Sequence, residues 1–169
     1  GKDEAARYAE DWLQKHPDDV GLPFYLGSVA FAASDLPTAE RYFAAAHKAN
    51  PRLGGALNNL AWVRAKLGRP DAVGLAEQAM AQAPDSLEVL DTLVFALVQA
   101  KQGPKAVEAL KAAMARKAPS APFQFSLAKL YADIGDTANA RIELDKLFTT
   151  YPDYAAQPNV VALRDKLPR

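Results

Sequence analysis

Two histidines, His16 and His47, are the side chains of this chain best suited by type to bind a metal or move a proton. Two ligands fall short of the three or four that a zinc site takes from its protein. A histidine in the last turn of a helix also complements the helix dipole. The chain contains no cysteine, which removes disulfides, zinc–thiolate sites and a thiol nucleophile. We therefore expect no metal site and no cofactor.

Acidic side chains and short motifs do not supply a catalytic site either. Asp18, Asp19 and Asp35 fall at predicted helix starts, where a carboxylate caps free backbone N–H groups. The chain has no glycine-rich phosphate loop, no G-x-S-x-G and no H-E-x-x-H sequence. The sequence therefore predicts a non-enzymatic protein without catalytic residues.

Another set of residues has the chemistry of a binding surface. Aromatic rings recur at comparable places along the chain, with amide, hydroxyl and charged side chains between them. Rings bury a large area against a partner, and amides bond an extended backbone. The predicted binding residues are Phe24, Ser28, Phe31, Asn58, Asn59, Trp62, Asp91, Thr92, Phe95, Phe125 and Lys129.

Several of these rings must act together to hold a ligand. One buried ring contributes roughly 4–6 kcal/mol before costs, whereas association costs on the order of 4–15 kcal/mol. Three or four rings would give about micromolar binding. Two alternatives stay open: the rings fold back onto neighbouring helices and only tighten the packing, or the ligand is a carbohydrate rather than a peptide.

Composition predicts that helices carry these residues. Alanine, the best helix former, makes up about a fifth of the chain, and the β-branched residues typical of strands are scarce. The 20 basic residues balance 20 acidic ones, which removes the electrostatic case for nucleic acid. Since no apolar run approaches the length of a bilayer span, we expect no membrane insertion.

A helical pattern repeats along the chain. It begins at alanines about 34 residues apart, and apolar or small residues follow each at helical spacing. A second helical segment precedes each of the later alanines. The repeated alanines are Ala5, Ala39, Ala72, Ala106 and Ala140. The sequence therefore predicts a series of helical hairpins, with small residues allowing the paired helices to approach closely.

This pattern resembles the tetratricopeptide repeat. The signature residues stand here as Leu26-Gly27, Ala39, Phe43 and Pro51, and again as Leu127-Ala128, Tyr131, Gly135, Ala140, Leu144 and Pro152. The resemblance implies an all-α fold, an α-α superhelix or solenoid in a single domain over residues 1–169. It implies a leading half repeat over 3–16, four helix-turn-helix repeats over 20–53, 54–86, 87–120 and 121–154, and a C-terminal capping helix over 158–166.

The same resemblance implies where a ligand binds. In this architecture the first helix of each hairpin lines a concave groove, which would place the predicted binding residues there. Chaperone-adaptor repeats use this groove to clamp a C-terminal carboxylate with lysine, arginine and asparagine. Of the matching places here, only Asn59 agrees, and Glu88 would repel a carboxylate. That adaptor function is disfavoured.

The middle of the chain resembles bacterial cell-envelope repeat proteins, notably the repeat lipoproteins of exosortase (PEP-CTERM) and exopolysaccharide systems. The block runs from Ala56-Leu57-Asn58-Asn59-Leu60-Ala61-Trp62 through Ala76-Glu77-Gln78-Ala79 and Ala83-Pro84-Asp85 to Asp91-Thr92-Leu93-Val94-Phe95, where the usual form has Gly-Trp in place of Val94-Phe95. It implies a periplasmic or outer-membrane-associated scaffold in a secretion or polysaccharide assembly, although the absence of cysteine leaves a cytoplasmic location open.

The first helix carries Tyr8 and Trp12 with no preceding helix to cover them. We expect either further repeats upstream or a homodimer through this helix, because an uncapped repeat exposes apolar surface. The leading hypothesis for function is a scaffold whose groove binds a peptide or protein segment. The alternatives are an accessory region of a larger enzyme, such as a glycosyltransferase, and a self-assembling scaffold.

Overall fold

The computed structural model describes residues 2–118 and 120–167, and this part of the chain consists of eleven helices without a strand. The helices are α1 (Lys2–Lys15), α2 (Gly21–Ala32), α3 (Leu36–Ala49), α4 (Gly54–Lys66), α5 (Ala72–Gln82), α6 (Leu87–Gln99), α7 (Gly103–Arg116), α8 (Ala121–Asp133), α9 (Thr137–Thr150), α10 (Pro152–Ala155) and α11 (Pro158–Lys166).

The helices fall into two compact units, residues 1–100 and residues 101–169. In the first unit α2 packs on α3, and α4 packs on both α5 and α6. In the second unit α8 packs on α9. The single domain and the repeat boundaries drawn from the sequence stay predictions. None of the described helices combines the length and apolar character that crossing a bilayer requires.

Small residues bring the paired helices close together, as the sequence predicted. Ala39, Ala72, Ala106 and Ala140 are all buried, whereas the side chain of Ala5 lies outside the described residues. Gly27 of α2 faces Phe43 of α3, and a Cβ at Gly27 would lie only 2.7 Å from the ring atom Cδ1. Glycine is therefore required where α2 crosses the fully buried Phe43.

A left-handed residue ends each of four helices. Two places after α2, α4, α6 and α8, the residues Ser34, Gly68, Lys101 and Gly135 have φ angles of 60°, 69°, 59° and 84°. At two of these helix ends, a backbone N–H beyond the turn bonds back to a carbonyl in the last turn of the helix. The N–H of Asp35 donates to the carbonyl of Ala30, and the N–H of Asp136 donates to the carbonyl of Tyr131.

The turn before α7 has a glycine that is not its left-handed residue. Lys101 adopts the left-handed conformation, and Gly103 is the first residue of α7. A Cβ at Gly103 would lie 3.0 Å from Ile134 Cγ2. The glycine therefore serves close packing within the second unit rather than the turn.

The C-terminal helices share a core with α8 and α9. Ala155 of α10 and Val160 of α11 are fully buried in one cluster with Leu144 and Leu147, and Leu163 packs against it.

Three other helices begin at a side-chain cap. Asp35, Ser86 and Asp136 each accept a hydrogen bond from the backbone N–H three residues later in the chain.

Candidate functional site

Three of the predicted rings form a continuous row in the first unit. Phe31 of α2 meets Trp62 of α4 edge-on, with ring centroids 5.1 Å apart and planes at 78°. Trp62 in turn stacks on Phe95 of α6 at 5.3 Å and 17°. These three residues are called the ring row below. Each of the helices α2, α4 and α6 thus contributes one ring to the row.

The ring row is packed on one side and open on the other. Phe31 is backed by the buried ring of Phe43, with centroids 6.4 Å apart, and is still 39% exposed. Trp62 and Phe95 are half-buried. Aromatic pairs contribute about 0.5–1.5 kcal/mol beyond the area they bury. The rings therefore hold each other in place without being sealed from water.

A cavity of about 290 Å³ lies beside the ring row. This volume is at the lower end of the roughly 300–1,000 Å³ typical of ligand sites, so the cavity matches a single side chain better than a large cofactor. Its lining comes from α2, α4 and α6 and consists of Phe31, Asn58, Asn59, Trp62, Glu88, Asp91 and Thr92.

The two most deeply buried lining residues are Asn58 and Thr92, at 5% and 3% exposure. The Nδ2 group of Asn58 donates to Glu88 Oε1 over 3.2 Å. This bond fixes the amide orientation, because a carboxylate oxygen accepts and cannot donate. The Oδ1 atom of Asn58 is then buried without a hydrogen-bond partner. Thr92 donates its hydroxyl to the carbonyl of Glu88 over 3.1 Å.

The electrostatic character of the cavity is acidic. Burial raises the pKa of the Asp91 carboxyl above its ordinary value, because a partly desolvated carboxylate is costly to ionise. Glu88 adds a second carboxylate three residues earlier on the same helix. Among the described residues that line the cavity there is no lysine, arginine or histidine. The negative charges therefore have no cationic partner within the lining.

Two predicted residues of α2 lie outside this cavity. The ring of Phe24 packs against Phe43 at 5.9 Å and approaches Gly55. The hydroxyl of Ser28 donates to the carbonyl of Phe24 over 2.9 Å. Phe24 is half-buried and packs against the same cluster as Trp62 but does not line the cavity, and the hydroxyl hydrogen of Ser28 is used within its own helix.

The two predicted residues of the second unit belong to other surroundings. Phe125 packs against the cluster around Leu144, with its ring 6.3 Å from that of Tyr154. Lys129 is exposed and pairs with Asp133 over 2.6 Å. The structure therefore brings seven of the eleven predicted binding residues together: Phe31, Asn58, Asn59, Trp62, Asp91 and Thr92 at the cavity, and Phe95 at the end of the ring row.

Glu88 is the lining residue that the sequence prediction left out. In the prediction from sequence, Glu88 counted only as a negative charge that would repel a carboxylate ligand. Its spacing from Asp91 and Thr92, three and four residues, is that of one helix face. The helical period alone was therefore sufficient to predict that Glu88 lies on the same surface as Asp91 and Thr92.

Neither histidine lies in this site. The ring of His16 lies 4.1 Å from that of Trp12, and His47 is in the last turn of α3. No three His, Asp or Glu side chains within residues 2–118 and 120–167 are grouped so that they could hold a metal ion.

The first helix presents part of its apolar surface to solvent. Tyr8 is 64% exposed, and its ring stacks on that of Trp12 at 6.2 Å. The indole of Trp12 donates to Asp19 Oδ2 over 2.7 Å. This bond, together with one from the N–H of Leu22, lowers the pKa of Asp19. Trp12 is thus tied to its own chain, whereas Tyr8 is the more open ring.

A larger cavity, of about 570 Å³, lies in the second unit between α9 and α11. Three of its charged groups are engaged with protein partners: Arg141 donates to the carbonyl of Leu167 over 3.0 Å, and Arg164 pairs with Asp165. We therefore regard the smaller cavity beside the ring row as the better candidate site.

Solved structures with the same helical-repeat fold identify the class of this chain. It is similar to MamA residues 41-end from Desulfovibrio magneticus RS-1 (TM-score 0.69, 21% identity, 87% of this chain and 84% of that one). It is also similar to TTC0263, a tetratricopeptide-repeat protein of Thermus thermophilus (0.63, 19%, 98% and 88%). A third is YrrB, a tetratricopeptide-repeat protein described as having an unusual peptide-binding site (0.61, 14%, 94% and 90%).

These likenesses confirm the predicted fold class, an all-α fold of the tetratricopeptide-repeat solenoid kind. No model of a protein family matches the chain, and no curated protein matches it either. At these identities the likeness extends to the fold and not to a particular function.

Proposed function

We propose that this chain is a non-enzymatic binding module that holds a peptide or protein segment against the ring row. The observation that carries the proposal is the geometry of Phe31, Trp62 and Phe95: three rings from three helices in contact, none of them buried, beside a polar cavity. Tetratricopeptide-repeat folds serve as protein-interaction scaffolds, and the similar protein YrrB is described as having an unusual peptide-binding site.

An extended segment suits this surface better than a compact molecule. The rings offer apolar area along successive helices, and Asn59 supplies an amide beside them. Because the rings already support one another, little side-chain ordering remains to oppose binding. A ligand that spans all three rings would gain more than one that covers a single ring.

The test is a selection of binders from a random peptide library displayed on phage. We expect enriched peptides to bind the wild-type chain at about micromolar Kd. The same peptides should lose at least about tenfold affinity for the Trp62→Ala, Phe95→Ala double variant, while far-ultraviolet circular dichroism shows unchanged helicity. Isothermal titration calorimetry measures both affinities.

Tyr25→Ala provides the matched control for this test. Tyr25 is on α2 and is 64% exposed, so its loss removes a comparable ring from the same helix outside the ring row. We expect this variant to bind like wild type. The proposal fails if no peptide is enriched, or if the double variant binds as tightly as the control.

We further propose, from the resemblance of residues 56–95 to envelope repeat proteins, that the module works in a bacterial envelope assembly. In that setting it would belong in the periplasm or at the outer membrane, in a secretion or exopolysaccharide system. Fractionation of the source cells with an antibody to the natural protein tests this location. Recovery with the cytoplasmic markers would contradict it.

A second copy of the chain is the other candidate partner, and the exposure of Tyr8 is the observation that favours it. In this proposal the first helices of two copies cover each other through Tyr8 and Trp12. Sedimentation velocity across a concentration series should show a dimer that Tyr8→Ser weakens. A monomer at every concentration would contradict the proposal.

A further inference from the structure

The free polar atoms of the cavity are nearly all acceptors. Asn58 Oδ1 has no partner, and the Thr92 oxygen keeps lone pairs after donating its hydrogen. Glu88 accepts one bond through Oε1 only, from Asn58. Asp91 adds a partly desolvated carboxylate. The donors among the lining side chains are the amide nitrogen of Asn59 and the indole N–H of Trp62. Acceptors and negative charge therefore predominate, and the surface is complementary to a ligand group that has donors alone.

We propose that the cavity binds the guanidinium group of an arginine in the partner segment. Guanidinium is the protein group with five N–H donors and no acceptor, arranged in a fork that matches carboxylate oxygens. Its positive charge would compensate the carboxylates of Glu88 and Asp91, because the described lining of the cavity contains no lysine, arginine or histidine. This proposal rests on the proposed function, because the arginine belongs to the segment held on the ring row.

The aromatic side of the cavity suits the remainder of an arginine side chain. Phe31 and Trp62 both line the cavity, and they offer apolar area to the methylene stem. Rings also attract cations, with arginine the more common partner and tryptophan the strongest ring. Lysine would satisfy the charge but has no planar fork, so we expect it to bind more weakly.

The buried amide oxygen of Asn58 gives a separate reason for a donor-bearing ligand. An unpartnered buried acceptor destabilises the free protein. Its orientation is held by the bond to Glu88, so rotating the amide would leave that carboxylate without its donor. Because the oxygen is itself buried, a ligand donor would reach it only as neighbouring side chains move aside, and it would then satisfy the oxygen without disturbing this bond.

The test uses blocked tripeptides that differ only at their central residue: arginine, citrulline, lysine or glutamate. Citrulline is the sharpest control, because it keeps the shape of arginine and removes the charge. The readout is NMR of the indole N–H groups, of which the chain has two, Trp12 and Trp62. Trp62 reports on the cavity, and Trp12 serves as the internal reference.

We expect the arginine peptide to shift the Trp62 signal with a Kd of about millimolar and to leave the Trp12 signal in place. Citrulline and glutamate should bind at least about tenfold more weakly and lysine a few-fold more weakly. Glu88→Gln and Asp91→Asn should each reduce arginine affinity by about tenfold, whereas Glu77→Gln, an exposed residue of α5, should not.

Equal binding of arginine and citrulline, or of arginine and lysine, would overturn the proposal, as would a shift confined to Trp12. An unchanged affinity in both acid variants would overturn it too. The proposed function stands separately: library peptides that need the ring row but carry no arginine would support binding on the row and reject the guanidinium site.

Discussion

The aromatic residues of the first helices have different surroundings in the two units. In the first unit Phe31, Trp62 and Phe95 contact one another and stay partly open. In the second unit Phe125 is half-buried as well, but it packs against the cluster that includes Leu144, Ala155 and Val160, and its ring contacts Tyr154 of α10. A similar sequence pattern thus produces a row of rings in one place and a ring packed beside the C-terminal helices in the other.

The difference arises from what lies over each ring. Tyr154 of α10 contacts Phe125, and α10 and α11 add buried residues to the same cluster. The ring row instead has Asn58, Asn59, Glu88 and Asp91 beside it, which are side chains that favour water over apolar packing. Helical period places a ring on a face, whereas residues far along the chain determine whether that face is covered.

The largest expected effect comes from removing the support beneath the ring row. Phe43 is fully buried and contacts both Phe24 and Phe31. Phe43→Ala should cost about 3–5 kcal/mol of unfolding free energy, measured by urea denaturation. Because Phe31 loses its backing, affinity for library peptides should also fall.

Leu144→Ala is the control for Phe43→Ala, since Leu144 is as deeply buried in the second unit. We expect a loss of about 2–5 kcal/mol with binding unchanged at concentrations where the variant is folded. A drop in affinity as large as that of Phe43→Ala would show that any loss of core packing impairs binding, and the comparison between the units would fail.

A smaller effect separates the two surroundings directly. Phe125→Ala should cost about 2–3 kcal/mol, because its ring packs into a core cluster. Phe31→Ala should cost only about 1 kcal/mol, because its ring is 39% exposed. Binding should follow the opposite order, with loss only in the Phe31 variant. Equal stabilities, measured by urea denaturation, would contradict this interpretation.

The sequence predicted the helices better than it predicted the site. Alanine spacing identified the hairpins because helix formation and close helix pairing depend on residues near one another in the chain. The sequence also predicted five residues of α4 and α6 that together line the cavity: Asn58, Asn59, Trp62, Asp91 and Thr92. The predictions for Phe24 and Phe125 were limited by tertiary packing: whether a ring joins a core depends on partners such as Phe43 and Tyr154, which periodicity does not reveal.

A charge comparison gives a subtler effect. Burial raises the pKa of Asp91 in the folded chain, so ionising it costs stability once the pH rises above its ordinary unfolded value of about 3.9. Asp91→Asn should therefore raise the melting temperature slightly near pH 7, and the two curves should converge in acid. This gain should be smaller than the loss expected for Phe31→Ala.

Asp133→Asn is the corresponding change in the second unit. It removes the exposed pair with Lys129 together with a negative charge at the C-terminal end of α8, two effects of opposite sign, so stability should change by at most about 0.5 kcal/mol. Asp91→Asn removes a partly desolvated charge that has no cationic partner in the cavity lining, whereas Asp133→Asn removes a paired one. A melting temperature of Asp91→Asn below wild type at pH 7 would show that ionised Asp91 is stabilised by the protein.

A last pair of substitutions tests a feature that both units share and that should leave binding unchanged. Ser34 follows α2 in the left-handed conformation at φ 60°, and Gly135 follows α8 at φ 84°. Ser34→Gly should stabilise the chain by up to about 1 kcal/mol, and Gly135→Ala should destabilise it by about 1 kcal/mol. Urea denaturation measures both, and neither change should affect peptide binding.

Equal and opposite changes in unfolding free energy would show that the backbone turns are equivalent in the two units. The side chains beside each ring would then account for the difference between the units. A loss of stability in Ser34→Gly would instead show that the serine contributes more in its turn than its backbone strain costs.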